Sequence, residues 1–312
     1  MALTSITLEN VGPFTQKQFS LCPGINIFAG GNGSGKTQIL KWLYAAVQAA
    51  NPGNSFQYKA TRVFRPEGNC LSKLVNWDAP SDALAKVEVC SETASICVSF
   101  TADTPKWEAK EHCDQMWEEE YCPKTCVFIP AVNMLPHAWN LEQAVRQRNV
   151  MFDDTYLDII AAAQIVISPD VSNHAESLLL ELENAIGGKV IVRNKKFYVL
   201  KNNDVRIELN MLAEGLQKLA VLYLLLKKGT LKNGSVLLWD NPDTGVSLKY
   251  ISLIAKILCF LQQEGVQIFV ATHSIFLPPA LEALDSDTVA IQHYNLTPTV
   301  FDFEKVFENE RC

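Results

Sequence analysis

Ile25-Asn26-Ile27-Phe28-Ala29-Gly30-Gly31-Asn32-Gly33-Ser34-Gly35-Lys36-Thr37 sets an apolar run directly before a glycine-rich loop that ends in Lys-Thr. Gly30 to Thr37 matches GxxxxGK[ST] in full, after a strand-like run and at a predicted helix start, which is the context this motif needs. The glycines let backbone N–H groups close around phosphates, and the helix N-terminus adds a favourable dipole. Gly30, Asn32, Gly33, Ser34, Gly35, Lys36 and Thr37 are therefore candidate nucleotide ligands. Lys36 reaches for the terminal phosphates, and Thr37 doubles as a ligand for Mg²⁺. A plain glycine turn before a helix is the alternative reading, and the full motif in this context outweighs it.

Outward from the loop, Ile39, Leu40, Leu43 and Val47 predict an amphipathic helix over 37–49, stopped by Asn51-Pro52-Gly53. Upstream, the first thirty residues read as two short strands, 5–9 and 25–29, joined through Gly12-Pro13 and Pro23-Gly24. A turn-rich region over 54–125 contains a predicted hairpin, 87–90 with 96–100. Strand 126–129 then leads into a mostly helical stretch over 140–186 ended by Gly187-Gly188, and three short strands follow near Val190, Tyr198 and Ile207. Helix 212–226, strand 236–239, helix 247–262 and strand 268–271 alternate along the C-terminal hundred residues. That alternation predicts a parallel sheet covered by helices. No heptad run points to a long coiled coil.

The chain has 312 residues, 48% of them hydrophobic and 20% charged, enough for one large elaborated domain. The expected division is a nucleotide-binding core from 1–53 and 205–295, an inserted β/helical subdomain over 54–204 and a tail over 296–312. The N-terminus alternates like a strand instead of showing a basic then apolar leader, and no long uncharged apolar run occurs. A soluble, cytoplasmic protein without a membrane partner is expected. A net charge of −7 argues against general nucleic-acid affinity, though a local basic patch stays open. The nine cysteines are scattered, and His112, Cys113, Cys122 and Cys126 lack the paired spacing of a structural zinc site, so reduced and mostly buried thiols are expected.

Two further elements complete a nucleotide site. Val236-Leu237-Leu238-Trp239-Asp240 is a buried-type strand ending in a carboxylate, where a magnesium-bound water shell needs an anion beside the loop Thr. Val266 to Ser274 is a second apolar strand that delivers His273 at its end, where it could hydrogen-bond a γ-phosphate and report its presence. Asp240, His273 and Lys36, together with Asn241, are the candidate catalytic residues, and Thr37 with Asp240 the candidate metal ligands. Trp239 reads as core, Glu214 as a complement to a helix dipole, and Arg146 with Arg148 as a solvated helix face.

With these residues in hand the chain resembles the ABC-type ATPases, in the branch of SMC, RecF and OLD-type proteins. GGNGSGKT, LLWDNPD and ATHS carry the resemblance. Ala213-Glu214-Gly215, within LAEGLQKL, is similar to the signature segment that in this superfamily contacts the γ-phosphate held by the opposite subunit. The nearest likeness is to compact heads of antiphage systems such as Septu and PARIS and of some retrons. VFRPEG (63–68), FIPAVNML (128–135), Phe152-Asp153-Asp154-Thr155-Tyr156 and AEGLQKLAVLYLLLKKG support it, and it runs from about residue 3 to 295. The resemblance implies an α/β P-loop head with N-terminal antiparallel strands, a central mostly parallel sheet and a helical insertion. It also implies ATP and Mg²⁺ as cofactors, an ATP-sandwich dimer and control of a nuclease or toxin effector.

The sequence departs from the family at one decisive point. The pattern after the strand-end Asp is usually Glu-Pro-Glu, its first Glu polarising the attacking water, and here Asn241-Pro242-Asp243 stands instead. An amide cannot accept a proton at neutral pH, so a term of ~10²–10⁴-fold in hydrolysis is removed while binding survives. Asn241 marks either a natural slow-turnover switch or an engineered trap. Thr244-Gly245-Val246-Ser247 and Asn133, where relatives often carry Glu, depart as well. A nucleotide-gated oligomeric switch is the leading expectation. A constitutive ATP-binding scaffold comes next, and a RecF-like DNA repair protein is the alternative that the net charge weighs against.

Overall fold

The computed structural model describes residues 2–147, 150–164, 173–284 and 290–296. In chain order these form β1 (Leu3–Val11), β2 (Phe14–Ser20), β3 (Ile25–Gly30), α1 (Lys36–Gln48), α2 (Phe56–Phe64), β4 (Ala85–Ser91), β5 (Ser95–Phe100), β6 (Lys110–Cys113), α3 (Gln115–Tyr121), β7 (Cys126–Ile129) and α4 (Leu141–Arg146). After these come α5 (Asp154–Gln164), α6 (Asn173–Ile186), β8 (Lys189–Arg193), β9 (Lys196–Leu200), β10 (Arg206–Glu208), α7 (Glu214–Lys227), β11 (Val236–Asp240), α8 (Leu248–Gln263), β12 (Gln267–Thr272), α9 (Leu277–Glu282) and β13 (Ile291–Leu296).

The central sheet is parallel throughout, in the order β13-β3-β12-β11-β7. Its central strands β3, β12 and β11 are apolar on both faces, as a sheet covered on both sides requires, while the edge strand β13 is mostly polar. Ile25, Ile27, Leu237, Trp239, Ile268 and Val270 join one core cluster, together with apolar residues of α5, α7 and α8. The alternating residues Phe28, Val236, Leu238, Phe269 and Ala271 join the other, with the apolar face of α1. The period-two alternation of strand side chains thus divides each strand between two cores.

An antiparallel sheet, β2-β1-β4-β5-β6, packs on the α1 side. Gln267 of β12 stitches the two sheets together. Its amide donates to Leu3 O and Cys22 O at 2.8 Å, and its carbonyl accepts from Leu3 N at 2.8 Å. The three strands β10-β9-β8 form a separate antiparallel sheet. Strands from 54–204 enter both main sheets: β4 pairs with β1, and β7 pairs with β11. The longest helix among the described residues has sixteen residues, so no long coiled coil occurs there.

Three expectations need correction. A strand, β2, lies between the two predicted for the first thirty residues; it is an edge strand with only Phe14 and Phe19 buried, so it carries no alternation to read. The turn-rich region holds a helix, α2, whose N-cap Ser55 accepts a bond from Tyr58 N at 3.2 Å. The thiols are mostly half-buried: of the described cysteines only Cys259 is buried, while Cys113 and Cys122 are exposed. Arg148 and the tail beyond Leu296 lie outside the described residues.

Candidate functional site

The carboxyl ends of β3, β12 and β11 lie side by side, and open parallel sheets place ligands outside such ends. β3 delivers the loop 30–37, β11 delivers Asp240 and β12 delivers His273. Because β12 lies between β3 and β11, residues far apart in sequence meet at one edge.

The loop is held from behind. Gly35, the N-cap of α1, has φ +89°, and a Cβ there would approach Phe14 Cζ to 2.3 Å and Pro13 Cγ to 2.8 Å. Glycine is required both for the left-handed backbone and for the close approach of the β1–β2 turn. Gly33, at φ +79°, has open space where a Cβ would point, and Asn32 beside it is exposed. Ser34 Oγ donates to Gly31 O at 2.9 Å. Lys36 is buried with its Nζ turned into the loop, donating to Gly30 O at 2.8 Å and Gly31 O at 2.7 Å. Burial lowers its pKa and the Asp240 charge opposes that shift.

Thr37 Oγ1 donates to Asp240 Oδ2 at 2.9 Å. Burial raises the Asp240 pKa, against the Thr37 hydrogen bond and the charges of Lys41, Lys36 and Lys218. A hydroxyl and a carboxylate at this separation form a hard, all-oxygen donor pair, which fits Mg²⁺. Asn241 follows with φ +49°. Its Nδ2 donates to Asp240 Oδ1 at 3.1 Å, and its Oδ1 lies 3.0 Å from His273 Nδ1. Lys36, Thr37, Asp240, Asn241 and His273 are thus brought together.

Ala213, Glu214 and Gly215 sit elsewhere. Ala213 caps α7 and Glu214 opens it. Gly215 is pressed against the loop after β11, where a Cβ would meet Gly245 O at 2.6 Å and Val246 Cα at 2.9 Å. No hydrogen bond joins 213–215 to 30–37 among the described residues. The link to the site is Lys218, one turn into α7, whose Nζ donates to Asn241 O at 2.9 Å and Thr244 O at 2.7 Å.

Several site residues escaped the sequence reading. Lys218 is 1% exposed, a cation paired with Glu214 at 3.6 Å and followed by the apolar run 219–226, and a buried charge ahead of that run was its signal. Asp243 accepts from Thr272 Oγ1 at 3.0 Å on both oxygens and is buried, so it braces β12 instead of facing the loop. Lys41 donates to Asp153 Oδ2 at 2.9 Å, tying α1 to the start of α5. Trp239 is fully buried, as core. Asn133 Oδ1 accepts from Leu135 N at 3.0 Å, a turn contact that ties it to its own loop.

Residues 5–65 match a family model described as an AAA domain, and residues 140–277 match one described as "AAA domain, putative AbiEii toxin, Type IV TA system". A search of curated proteins returns no match. Among solved structures, an SMC head bound to the C-winged helix domain of ScpA is 13% identical, with TM-score 0.57, over 90% of this chain and 92% of that one. An SMC head with an extended coiled coil, bound to the C-terminal domain of ScpA derived from Pyrococcus furiosus, is 11% identical, with TM-score 0.51, over 100% of each chain. The chain has an α/β fold in which a parallel sheet packs beside an antiparallel one. More narrowly, that fold is similar to the SMC head fold.

Proposed function

We propose that this protein binds ATP and Mg²⁺ at the loop 30–37 and works as a nucleotide-gated switch whose closed form is a dimer of heads. The observation that carries the reading is the hydrogen-bonded chain Thr37–Asp240–Asn241–His273 at the carboxyl ends of β3, β11 and β12. The loop N–H groups and Lys36 hold the phosphates, while Thr37 and Asp240 hold the metal. Bound Mg²⁺ supplies charge neutralisation on the phosphates. Lys36 leaves its carbonyl partners when a phosphate offers a charged acceptor, because hydrogen bonds between ions are the stronger ones.

A second copy of the chain completes the site in this reading, each Gly215 segment facing the partner's loop. Large apolar side chains support it: Met211 is 75% exposed, Leu248 61%, Ile275 76% and Phe276 50%. In sequence these adjoin the signature-like segment, the loop after Asp240 and His273, the segments that the partner's loop would face in this reading. A γ-phosphate recognised by both copies gives the closed state its differential affinity. Light scattering with ATP-Mg should double the mass of the wild type and leave Lys36→Ala unchanged. Equal mass in every condition would sink the dimer.

Hydrolysis is slow in this reading, because Asn241 supplies no carboxylate base. The partner controlled is a nuclease or toxin effector in antiphage defence, a reading supported by the match of 140–277 to a model named for a putative toxin of a Type IV toxin–antitoxin system. The whole chain acts as one ATPase domain, with 1–53 and 205–295 supplying the nucleotide core and 54–204 elaborating it. The cell compartment proposed is the cytoplasm; no helix among the described residues is long and apolar enough to cross a membrane.

A further inference from the structure

The amide of Asn241 lies between two partners, and their chemistry settles which way it faces. Asp240 Oδ1 is a carboxylate oxygen and only accepts, so the amide nitrogen must face it, at 3.1 Å. The amide oxygen is then left toward His273 Nδ1, at 3.0 Å. A carbonyl oxygen also only accepts, so Nδ1 must carry the hydrogen. A neutral imidazole has one N–H, and Nε2 therefore holds a lone pair. His273 is exposed, and its Nε2 makes no hydrogen bond or ion pair among the described residues. A γ-phosphate sensor that donates from Nε2 would require the imidazolium instead.

The backbone enforces this arrangement. Asn241 adopts φ +49°, a region that Asn tolerates, and its N–H is fixed to Ala271 O at 2.8 Å. Lys218 holds its carbonyl at 2.9 Å. The side chain is thus anchored on both sides while it bridges β11 to the end of β12.

We propose that Asn241 is a positioning residue that fixes His273 as the Nδ1–H tautomer, so that Nε2 accepts the proton of the hydrolytic water. The inference rests on the ATP reading above and names the group that replaces the missing carboxylate. The water oxygen bonds to the terminal phosphorus, the bond from that phosphorus to its bridging oxygen breaks, and ADP leaves with the electron pair. The water proton passes to Nε2 and from there to the released phosphate or solvent. An amide that orients an imidazole does by hydrogen bonding what a carboxylate at 241 would do by accepting the proton itself.

The test uses the full chain labelled with ¹⁵N-histidine, the His273 signals being assigned among the five histidines by their loss in His273→Gln. The wild type should show a protonated Nδ1 and an unprotonated Nε2. Asn241→Gly keeps the left-handed backbone and removes the amide, and should return His273 toward the Nε2–H form that a free side chain prefers. His273→Gln should lower turnover by ~10²-fold or more while affinity for a fluorescent ATP analogue stays within about threefold. An Nε2–H tautomer in the wild type, or one unmoved by Asn241→Gly, overturns the positioning role. A His273→Gln variant that hydrolyses at the wild-type rate, or a wild type without turnover, overturns the proton-acceptor role. Failure of the wild type to bind nucleotide would refute the ATP reading and leave the tautomer measurement standing, so the two failures are distinguishable.

Discussion

The hydroxyl of Thr37 donates to Oδ2 of Asp240 at 2.9 Å across 203 residues of sequence. That bond joins the two candidate metal ligands before any metal is considered. Asp240→Asn keeps the shape and removes the charge, so magnesium should no longer tighten nucleotide binding. Titration of a fluorescent ATP analogue with and without EDTA reads this. The wild type should gain at least about tenfold from Mg²⁺ and the variant less than about twofold, as loss of a metal ligand implies. An equal gain in both would remove Asp240 from the metal site.

Asn241 separates binding from hydrolysis. Asn241→Glu places a carboxylate where the ABC pattern has its base, and phosphate release should rise by ~10-fold or more. Nucleotide affinity should hardly change. A flat or reduced rate would mean that residue 241 does not limit turnover.

Gly35 allows no side chain. Gly35→Ala adds a Cβ 2.3 Å from Phe14 Cζ and strains a φ of +89°. The expected outcome is loss of nucleotide binding together with a lower unfolding midpoint, read by the same titration and by thermal denaturation. Normal binding in a folded variant would show that the loop is not shaped by its contact with the β1–β2 turn.

The parts of the fold that were legible had periodicity or a required chemistry. β3, β11 and β12 read as strands because both faces are buried, and α1 read as a helix because Ile39, Leu40 and Leu43 share one face. β2 stayed hidden because an edge strand with an exposed middle, 15–18, has no apolar rhythm. The loop 30–37, Asp240 and His273, which the structure gathers at one sheet edge, could be picked out in the sequence because the proposed phosphate and metal chemistry calls for residue types in order. Lys218, Asp243 and Thr272 could not. Their roles are tertiary, set by which carbonyl or hydroxyl the fold brings within 3 Å.

Lys218 should matter for stability as well as for coupling. Its buried ammonium satisfies two backbone carbonyls, of Asn241 and Thr244. Lys218→Met strands both acceptors and should destabilise the fold by on the order of 3 kcal/mol. Chemical denaturation monitored by the tryptophans would measure it, and a change below about 0.5 kcal/mol would contradict the assignment.

Asp154 carries the pH dependence. Burial would raise its pKa, yet the hydrogen bonds from Arg62 and the charge of Lys59, at 3.0 Å, hold it below the ordinary value of 3.8. Its folded pKa is depressed, so its contribution to stability is present above 3.8 and is lost as pH falls through the folded value. Asp154→Asn should be less stable at pH 7 by roughly 3 kcal/mol, with a flatter loss of stability as pH falls below about 4. Parallel acid limbs for the two proteins would contradict the pairing.

Nucleotide binding at the loop 30–37 is the claim on which the rest depends, and Lys36→Ala tests it most directly. Equilibrium titration of a fluorescent ATP analogue in Mg²⁺ should give saturable one-to-one binding to the wild type, displaced by unlabelled ATP, and at least about a hundredfold weaker binding to the variant. Equal affinity in both proteins, or no saturable binding to the wild type, would contradict the account.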